Sequence, residues 1–249
     1  MELYGIERAA PVFFQTQVDS TNTRIKQLAA RGAPDGTLYI AAAQNAGRGR
    51  EGRTFVSPPG GLYLSMLLRP GCGAEEALSI TPSAAVAVCR AVKEVCGLDC
   101  GIKWPNDVVL GGKKLCGILT EAGTDKEGLF LVLGIGVNVN TEEFPEELRQ
   151  VAGSLFLHSG EKTELETLAR ELIRQLDEMY DAWKADKNAF LEEYRAHCVN
   201  TGREVLAGGR PAKALGIADD YALLVEYPDG TRENIAYGEV SVRGLYGYV

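Results

Sequence analysis

The sequence predicts an α/β (α+β) protein with a larger N-terminal domain and a small, β-rich C-terminal domain. Two observations support this prediction. Up to about residue 198, apolar strand-like runs alternate with longer segments of helical periodicity. From about residue 200 only short β-like runs remain, separated by turn residues. We therefore expect domains at 1–198 and 199–249, the second a small barrel of the SH3 type.

Apolar and β-branched runs predict the strands of the first domain. They lie at 12–18, 37–43, 61–68, 101–104, 107–110, 114–121 and 129–140. The last run is apolar at nearly every position, which is typical of a strand buried on both faces. Pro105-Asn106 and Gly111-Gly112 have the composition of turns between the shorter runs.

Helical periodicity of apolar residues predicts four helices. They begin after residue 22, at residue 75, after residue 163 and near residue 188. The second contains Pro82, which we expect to break or restart it, since proline has no amide hydrogen to donate. The third opens with Thr163-x-x-Glu166, the spacing of a capping box, and its apolar stripe indicates core packing.

Composition narrows the class of protein. The chain has 249 residues and a formal net charge of −8, which argues against a nucleic-acid surface. No apolar stretch is long enough for a membrane span, and the N-terminus lacks the pattern of a signal peptide, so we expect a cytoplasmic enzyme. The six cysteines form no C-x-x-C pair and predict reduced, mostly buried side chains rather than a zinc site.

The segment from Gly47 to Arg53 is the most informative part of the chain. It places three arginines and three glycines in seven residues. Glycines let backbone amides approach a ligand closely, and arginines offer planar, charged forks for carboxylate or phosphate. In an acidic protein, this local positive charge predicts a site for a small anionic ligand, with a basic surface loop as the alternative.

The same segment fits the dinucleotide-binding spacing Gly47-x-Gly49-x-x-Gly52. That motif requires a helix to begin at the last glycine. Residues 54–61, which include two prolines and two glycines, cannot open a helix. A dehydrogenase is therefore rejected, and neither the partner motifs of a protein kinase nor a Walker A sequence is present.

Further polar clusters lie at predicted turns and strand ends, where clefts are usually built. They are Gln44, Lys103-Trp104-Pro105-Asn106-Asp107, Lys113-Lys114, and Asn138 with Asn140. Joining a carboxylate to the α-phosphate of ATP needs cations that reduce the repulsion of two anions. Those cations could come from Arg48, Arg50, Arg53, Lys103 and Lys114. Asp107 could hold Mg²⁺, which favours one or two carboxylates plus phosphate oxygens.

An ordered set of motifs resembles the biotin protein ligases, also called biotin–acetyl-CoA-carboxylase ligases. The motifs are Asp-Ser-Thr-Asn at 19–22, Gln-x-x-Gly-Arg-Gly-Arg-x-Gly-Arg at 44–53, Ser57-Pro58, Leu62-Tyr63-Leu64-Ser65-Met66, Lys-Trp-Pro-Asn-Asp at 103–107, Lys114-Leu115-x-Gly117-Ile118-Leu119-x-Glu121, Gly134-x-Gly136-x-Asn138 and Gly238-Glu239-x-Ser241-x-Arg243. Each motif alone is weak, but together they span about residues 12–243 in the family's order.

The resemblance implies a fold and a two-step reaction. The fold is a class II synthetase-like catalytic domain, with a mixed sheet flanked by helices, plus a C-terminal SH3-like domain. In the first step biotin and ATP form biotinyl-5′-AMP and pyrophosphate. In the second, a lysine of a biotin carboxyl carrier protein domain attacks the adenylate and AMP leaves. Biotin and ATP are thus substrates, and Mg²⁺ is the implied metal.

The resemblance also assigns residues. The implied biotin-binding residues are Ser20, Thr21, Asn22, Gln44, Arg48, Gly49, Arg50 and Lys114. The implied ATP-binding residues are Arg48, Arg50, Arg53, Lys103, Asn106, Lys114, Asn138 and Arg243. Arg50, Lys114 and Asp107 are the implied catalytic residues, with Asp107 also at the metal and Arg50 retaining the adenylate. Glu239 and Arg243 would reach in from the C-terminal domain.

Two departures and two alternatives accompany the resemblance. Many members have tryptophan where Phe55 stands, so a contact there has a smaller ring. The first strand starts near Val12, which leaves no room for a DNA-binding domain and predicts the monofunctional form. A lipoate or octanoate ligase of the same fold and a non-catalytic biotin-binding regulator remain the alternatives. Family members include monomers and homodimers, and the sequence does not choose between them.

Overall fold

A seven-stranded mixed sheet forms the centre of the fold. The structure is a computed structural model that describes residues 8–238 and 240–246. The strands are β1 (Val12–Val18), β2 (Leu38–Gln44), β3 (Leu62–Leu68), β4 (Gly101–Lys103), β5 (Asp107–Leu110), β6 (Lys113–Asp125) and β7 (Gly128–Val137). Their order in space is β1-β2-β3-β7-β6-β5-β4. β1 and β2 are parallel and every other neighbouring pair is antiparallel, so the predicted strands are confirmed.

Helices cover both faces of this sheet. They are α1 (Thr21–Ala29), α2 (Ile80–Cys96), α3 (Leu155–Ser159), α4 (Leu165–Ala185) and α5 (Leu191–His197). α2 packs on one face and α4 packs against α2, whereas α1 packs on β2, β3 and β7. Side chains alternate along a strand, so Leu38 and Ile40 enter the large core while Tyr39 and Ala41 join the smaller cluster beneath α1.

The prediction that Pro82 breaks or restarts its helix is confirmed in part: the helix does not break at Pro82, but the α-helix begins just before it, at Ile80. A short 3₁₀ turn, Glu76–Ser79, precedes α2, and the α-helix then runs from Ile80 to Cys96 without interruption. Pro82 lies in the first turn of α2, where the backbone amides have no acceptor within the helix. Proline is tolerated there because the amide hydrogen that it lacks would not be used.

The predicted capping box at Thr163 and Glu166 does not form. α4 begins at Leu165 with Glu164 at the N-cap position, and that residue makes no side-chain cap in the described structure. The amide of Thr163 instead donates to Asn140 Oδ1 at 2.9 Å, and Asn140 Nδ2 donates to the Thr163 carbonyl at 2.8 Å. The side chain of Asn140, distant in sequence, thus forms hydrogen bonds with the backbone of Thr163, including the amide that the capping box would have satisfied.

The C-terminal strands form a second, antiparallel sheet. They are β8 (Glu204–Ala207), β9 (Arg210–Ile217), β10 (Leu223–Glu226), β11 (Arg232–Ile235) and β12 (Val240–Val242), in the spatial order β11-β10-β9-β8-β12. The predicted turn at Pro228-Asp229-Gly230 joins β10 to β11. Trp104 Nε1 donates to the carbonyl of Tyr221 at 2.9 Å, which fastens this sheet to the first one. Trp104 is therefore a core residue at the junction of the two sheets.

Within residues 8–238 and 240–246, none of the helices is long and apolar enough to cross a membrane.

Candidate active site

The predicted site residues meet around one cavity of about 380 Å³. It is formed by the start of α1, by the loop after β2, which folds over the sheet, and by the ends of strands β4 to β7. The predicted residues that line it are Ser20, Thr21, Asn22, Gln44, Arg48, Gly49, Arg50, Arg53, Lys103, Asn106, Asp107, Lys114 and Asn138. Positions as far apart as 20 and 138 in the chain therefore share one site.

One end of the cavity is built from uncharged polar groups. Gln44 Oε1 accepts from the amide of Thr21 at 2.9 Å and from its hydroxyl at 3.2 Å, and Gln44 Nε2 donates to Ser57 Oγ at 2.9 Å. Ser20 occupies the N-cap position of α1, yet its side chain makes no capping hydrogen bond in the described structure. Capping alone therefore does not explain these residues, and their polar groups suit a neutral, hydrogen-bonding ligand.

Asn22 is fixed in this end of the cavity. Its Oδ1 accepts from Ser65 Oγ at 2.6 Å, and its Nδ2 donates to Glu121 Oε2 at 2.9 Å. A Cβ atom built on Gly134 would lie only 2.1 Å from Asn22 Oδ1. Glycine at 134 is therefore required for the position of Asn22.

Glu121, to which sequence analysis assigned no role, does not line the cavity itself but contacts two residues that do, Asn22 and Arg48. Its carboxylate pairs with Lys26 Nζ at 2.7 Å and lies 3.7 Å from Arg48 Nη1. Burial alone would raise the pKa of Glu121, but the hydrogen bonds from Lys26 and Asn22 outweigh burial and lower it. The carboxylate thus stays ionised and connects α1 to the arginine of the loop.

The loop after β2 folds back on itself. The amide of Phe55 donates to the carbonyl of Gly47 at 2.9 Å, and a Cβ atom on Gly47 would lie 2.2 Å from the Phe55 carbonyl. A single 3₁₀ turn, Arg50–Gly52, lies between Gly47 and Phe55, and no α-helix begins at Gly52. The rejection of a dinucleotide-binding motif is therefore confirmed.

Arg50 joins this loop to two other parts of the molecule. Its Nη1 donates to Asn106 Oδ1 at 3.2 Å and its Nη2 donates to the carbonyl of Gly238 at 3.0 Å. Asn106 is held in turn, because its Nδ2 donates to the Ile118 carbonyl at 2.7 Å. The guanidinium therefore closes over the cavity between the β4–β5 turn and the C-terminal sheet.

The cationic end of the cavity centres on an ion pair. Lys114 Nζ lies 2.7 Å from Asp107 Oδ1, and the hydroxyl of Tyr246 donates to Asp107 Oδ2 at 3.1 Å. Lys103 Nζ lies 5.2 Å from the centre of the Tyr246 ring, and both Lys103 and Asp107 are buried. These cations can lower the repulsion between a carboxylate and a phosphate.

The donor set fits a magnesium ion that arrives with phosphates. Among residues 8–238 and 240–246, no group of three or more His, Cys, Asp or Glu side chains could hold a metal by itself. Asp107 supplies one carboxylate, and Mg²⁺ commonly takes one or two carboxylates and completes its shell with phosphate oxygens and water. Asp107 would therefore hold the ion jointly with a nucleotide.

Asn138 presents a buried acceptor next to an apolar wall. Its Nδ2 donates to the carbonyl of Gly153 at 3.0 Å, while its Oδ1 has no partner among the residues that the structure describes. The nearby cavity wall is formed by Phe144, Leu148, Val151 and Ala152. An acceptor beside apolar side chains suits a flat base that carries an amino group.

Phe55 lies over two glycines of the sheet. A Cβ atom would come within 2.9 Å of its ring at Gly117 and within 2.6 Å at Gly136, and these two residues are cross-strand partners. The ring also lies 5.9 Å from Lys114 Nζ. The smaller aromatic ring at position 55 thus keeps a place in the cavity wall against the cationic end.

One residue expected from the C-terminal domain, Arg243, does not line the described cavity. It pairs with Glu204. Glu239 lies outside the described residues. The C-terminal residue that the structure does place in the cavity is Tyr246, which no motif had indicated.

Comparison with known families identifies the class of protein to which this fold and this site belong. The family model described as the biotin/lipoate A/B protein ligase family matches residues 14–138. The chain is 34% identical over 231 residues to the Bifunctional ligase/repressor BirA of Bacillus subtilis, covering 89% of this chain and 71% of the relative. This chain belongs to the biotin/lipoate A/B protein ligase family.

Two further relatives resemble the chain over most of their own length. It is 34% identical over 214 residues to a biotin–acetyl-CoA-carboxylase ligase of Mycobacterium tuberculosis, covering 82% of this chain and 77% of that protein. The solved structure of the biotin protein ligase from Aquifex aeolicus in complex with biotin and ATP has 30% identity and a TM-score of 0.83. The match covers 94% of this chain and 98% of that one.

Proposed function

We propose that this protein activates biotin with ATP and transfers it to a lysine of a biotin carboxyl carrier domain. One observation carries the proposal: a single cavity joins a neutral polar end, at Thr21 and Gln44, to a cationic end, at Lys103 and Lys114. Such a cavity fits an acid with a neutral polar head whose carboxylate must meet a phosphate. The names of its relatives support biotin as that acid and acetyl-CoA carboxylase as the acceptor's class.

In the first step, a carboxylate oxygen of biotin attacks the α-phosphorus of ATP and pyrophosphate leaves. Lys114 lies where these two anions would meet, and its ammonium reduces their repulsion. Magnesium, when bound with the nucleotide, would supply further neutralisation of phosphate charge. The buried Oδ1 of Asn138 accepts a hydrogen bond from the amino group of the base.

In the second step, the amine of the acceptor lysine attacks the carbonyl carbon of the adenylate. The bond from that carbon to the phosphate oxygen breaks, AMP leaves, and an amide remains on the carrier. Asp107 is the carboxylate beside Lys114, and we assign it to accept the proton that the attacking amine loses. Arg50 closes the cavity and retains the adenylate until the carrier arrives.

The alternatives differ in the acid or in the chemistry. A lipoate or octanoate ligase would need an apolar end in place of the polar groups around Gln44. A biotin-binding regulator would not need a buried lysine at the opposite end, where Lys103 is 5% exposed. The division into domains at 1–198 and 199–249 and a homodimer remain proposals alongside this function.

The full reaction tests the proposal. The protein is incubated with biotin, ATP, magnesium and a biotin carboxyl carrier domain, and the carrier is analysed by intact-mass and peptide mass spectrometry. We expect one biotin on one lysine, and none on a matched carrier in which that lysine is replaced by arginine. If the carrier stays unmodified after prolonged incubation while a lipoyl domain is lipoylated or octanoylated in a parallel reaction, the substrate is lipoate or octanoate and not biotin.

A further inference from the structure

Tyr246, beyond the last strand of the C-terminal sheet, reaches the cavity and touches two groups of the cationic end. Its hydroxyl donates to Asp107 Oδ2 at 3.1 Å, and its ring centre lies 5.2 Å from Lys103 Nζ. We propose that Tyr246 is a positioning residue for the ligase reaction, which holds Asp107 and Lys103 in place from the C-terminal sheet. This inference rests on the proposed function.

The hydroxyl of Tyr246 fixes the orientation of a carboxylate. The two oxygens of Asp107 have different partners, since Oδ1 faces Lys114 at 2.7 Å and Oδ2 accepts from Tyr246. The carboxylate cannot rotate about its Cβ–Cγ bond without losing one of them. Small displacements of a reacting group have large effects on rate, so an Asp107 that turns freely would react more slowly with the acceptor lysine.

The ring of Tyr246 acts on a different residue. Lys103 is 5% exposed and its ammonium lies against the ring face. An aromatic ring attracts a cation without neutralising it. This contact therefore stabilises the ammonium inside the cavity and leaves its charge available to an anionic ligand such as the phosphates of ATP.

The chain around Tyr246 is held firmly enough to position these groups. β12 pairs with β8, and its residues Val240 and Val242 are buried, as is Leu245. Tyr246 itself has a φ of 56°, a left-handed conformation that is costly for a residue with a side chain. Such a conformation persists only where the surrounding structure enforces it, and it is common at functional sites.

A second contact from the same sheet supports this assignment. The carbonyl of Gly238, just before β12, accepts from Arg50 Nη2 at 3.0 Å. The segments on both sides of β12 therefore contact the cavity, one at the loop arginine and the other at Asp107. The C-terminal sheet thus helps to set the geometry of the reacting groups.

The test separates the two half-reactions in Tyr246→Phe, which removes the hydroxyl and keeps the ring. Transfer from isolated biotinyl-adenylate to a carrier domain should slow about tenfold, the size expected for one hydrogen bond to a charged group. The same substitution should have little further effect in an Asp107→Ala background. Tyr227→Phe is the matched control, since it deletes a hydroxyl that donates to Glu233 in the same sheet at 2.7 Å, and its rates should equal those of the wild type.

Tyr246→Leu then tests the ring. It should raise the KM for ATP several-fold in biotin-dependent pyrophosphate exchange, whereas Tyr246→Phe should leave that KM unchanged. Wild-type transfer rates in Tyr246→Phe, or a loss that persists undiminished with Asp107→Ala, would overturn the inference while the proposed function stands. A wild-type protein with no biotin-dependent exchange would overturn both.

Discussion

Lys114 Nζ and Asp107 Oδ1 lie 2.7 Å apart on neighbouring antiparallel strands, β6 and β5. Asp107 is 8% exposed, whereas the Lys114 side chain is 26% exposed, so the pair lines the cavity with the carboxylate buried and the ammonium partly open to solvent. A cation beside a carboxylate at this position has two uses in the proposed reaction. The ammonium can meet the anions of the first step, and the carboxylate can receive the proton of the second.

Replacing Lys114 with methionine should slow formation of the adenylate about 100-fold or more, because a positioned charge at the reacting phosphate is lost. The rate is measured as pyrophosphate exchange at saturating biotin and ATP. Lys113→Met is the matched control: Lys113 is exposed and its Nζ donates to the Arg149 carbonyl at 2.8 Å. Equal losses in the two variants would contradict the assignment of Lys114.

Replacing Arg50 with glycine should leave adenylate formation largely intact but release the adenylate into solution. The variant loses the contacts with Asn106 and Gly238 that close the loop over the cavity. Biotinylation of an unrelated bystander protein, followed by avidin blotting, should therefore rise well above the wild-type level. Arg50→Lys keeps the charge and should leak less. Normal adenylate formation without bystander labelling would remove this role from Arg50.

Replacing Gly134 with alanine should weaken biotin binding and lower the free energy of unfolding by about 1–3 kcal/mol, the usual cost of overpacking. The added Cβ would lie 2.1 Å from Asn22 Oδ1, so the asparagine must move. Gly216→Ala in β9 is the control, since no described atom beyond its neighbours lies within 4 Å of that Cβ. Calorimetric titration with biotin and urea unfolding measure the two effects; equal behaviour of the two variants would contradict this account.

Replacing Glu121 with glutamine should make stability less dependent on pH. Burial alone would raise the pKa of Glu121, but the hydrogen bonds from Lys26 and Asn22 lower it below the ordinary value of 4.5. The ionised carboxylate therefore stabilises the folded state above about pH 4.5, and this contribution is lost as the pH falls through the lower folded-state pKa.

Urea unfolding at a series of pH values measures this effect. At pH 7 the Glu121→Gln variant should be less stable than the wild type by about 1 kcal/mol or more, since hydrogen bonds to a charged group are lost. The difference should shrink steadily below pH 4.5. Glu142→Gln, which removes one partner of an exposed pair with Lys162, should have little effect at any pH. A constant difference for Glu121→Gln across the series would contradict the prediction.

Periodicity and turn residues predicted the strands well because each strand satisfies a local rule. β7 is apolar along most of its length, and the turn at Pro228-Asp229-Gly230 has the composition that a hairpin needs. The capping box at Thr163 failed for the opposite reason, since Asn140, distant in sequence, takes over the backbone groups. Short elements such as α3 gave too few residues for a period to appear.

The site was predictable where a motif carries its own chemistry. The loop arginines, Lys114 and Asp107 line the cavity, as the sequence predicted. The arginines could be predicted because a positive, glycine-rich segment in an acidic chain has few other uses. Glu121 and Tyr246 were missed because their roles exist only through contacts across the fold, to α1 and to the start of β5 respectively. Arg243 followed a motif, yet it pairs with Glu204 in the C-terminal sheet.

The central claim is that the cavity joins biotin to the α-phosphate of ATP, and ATP–pyrophosphate exchange tests it most directly. The exchange of labelled pyrophosphate into ATP is measured with magnesium and with biotin, lipoate or octanoate in turn. The account predicts exchange with biotin alone, and its strong reduction in Lys114→Met but not in Lys113→Met. Exchange with lipoate or octanoate instead, or no exchange with any of the three acids, would contradict it.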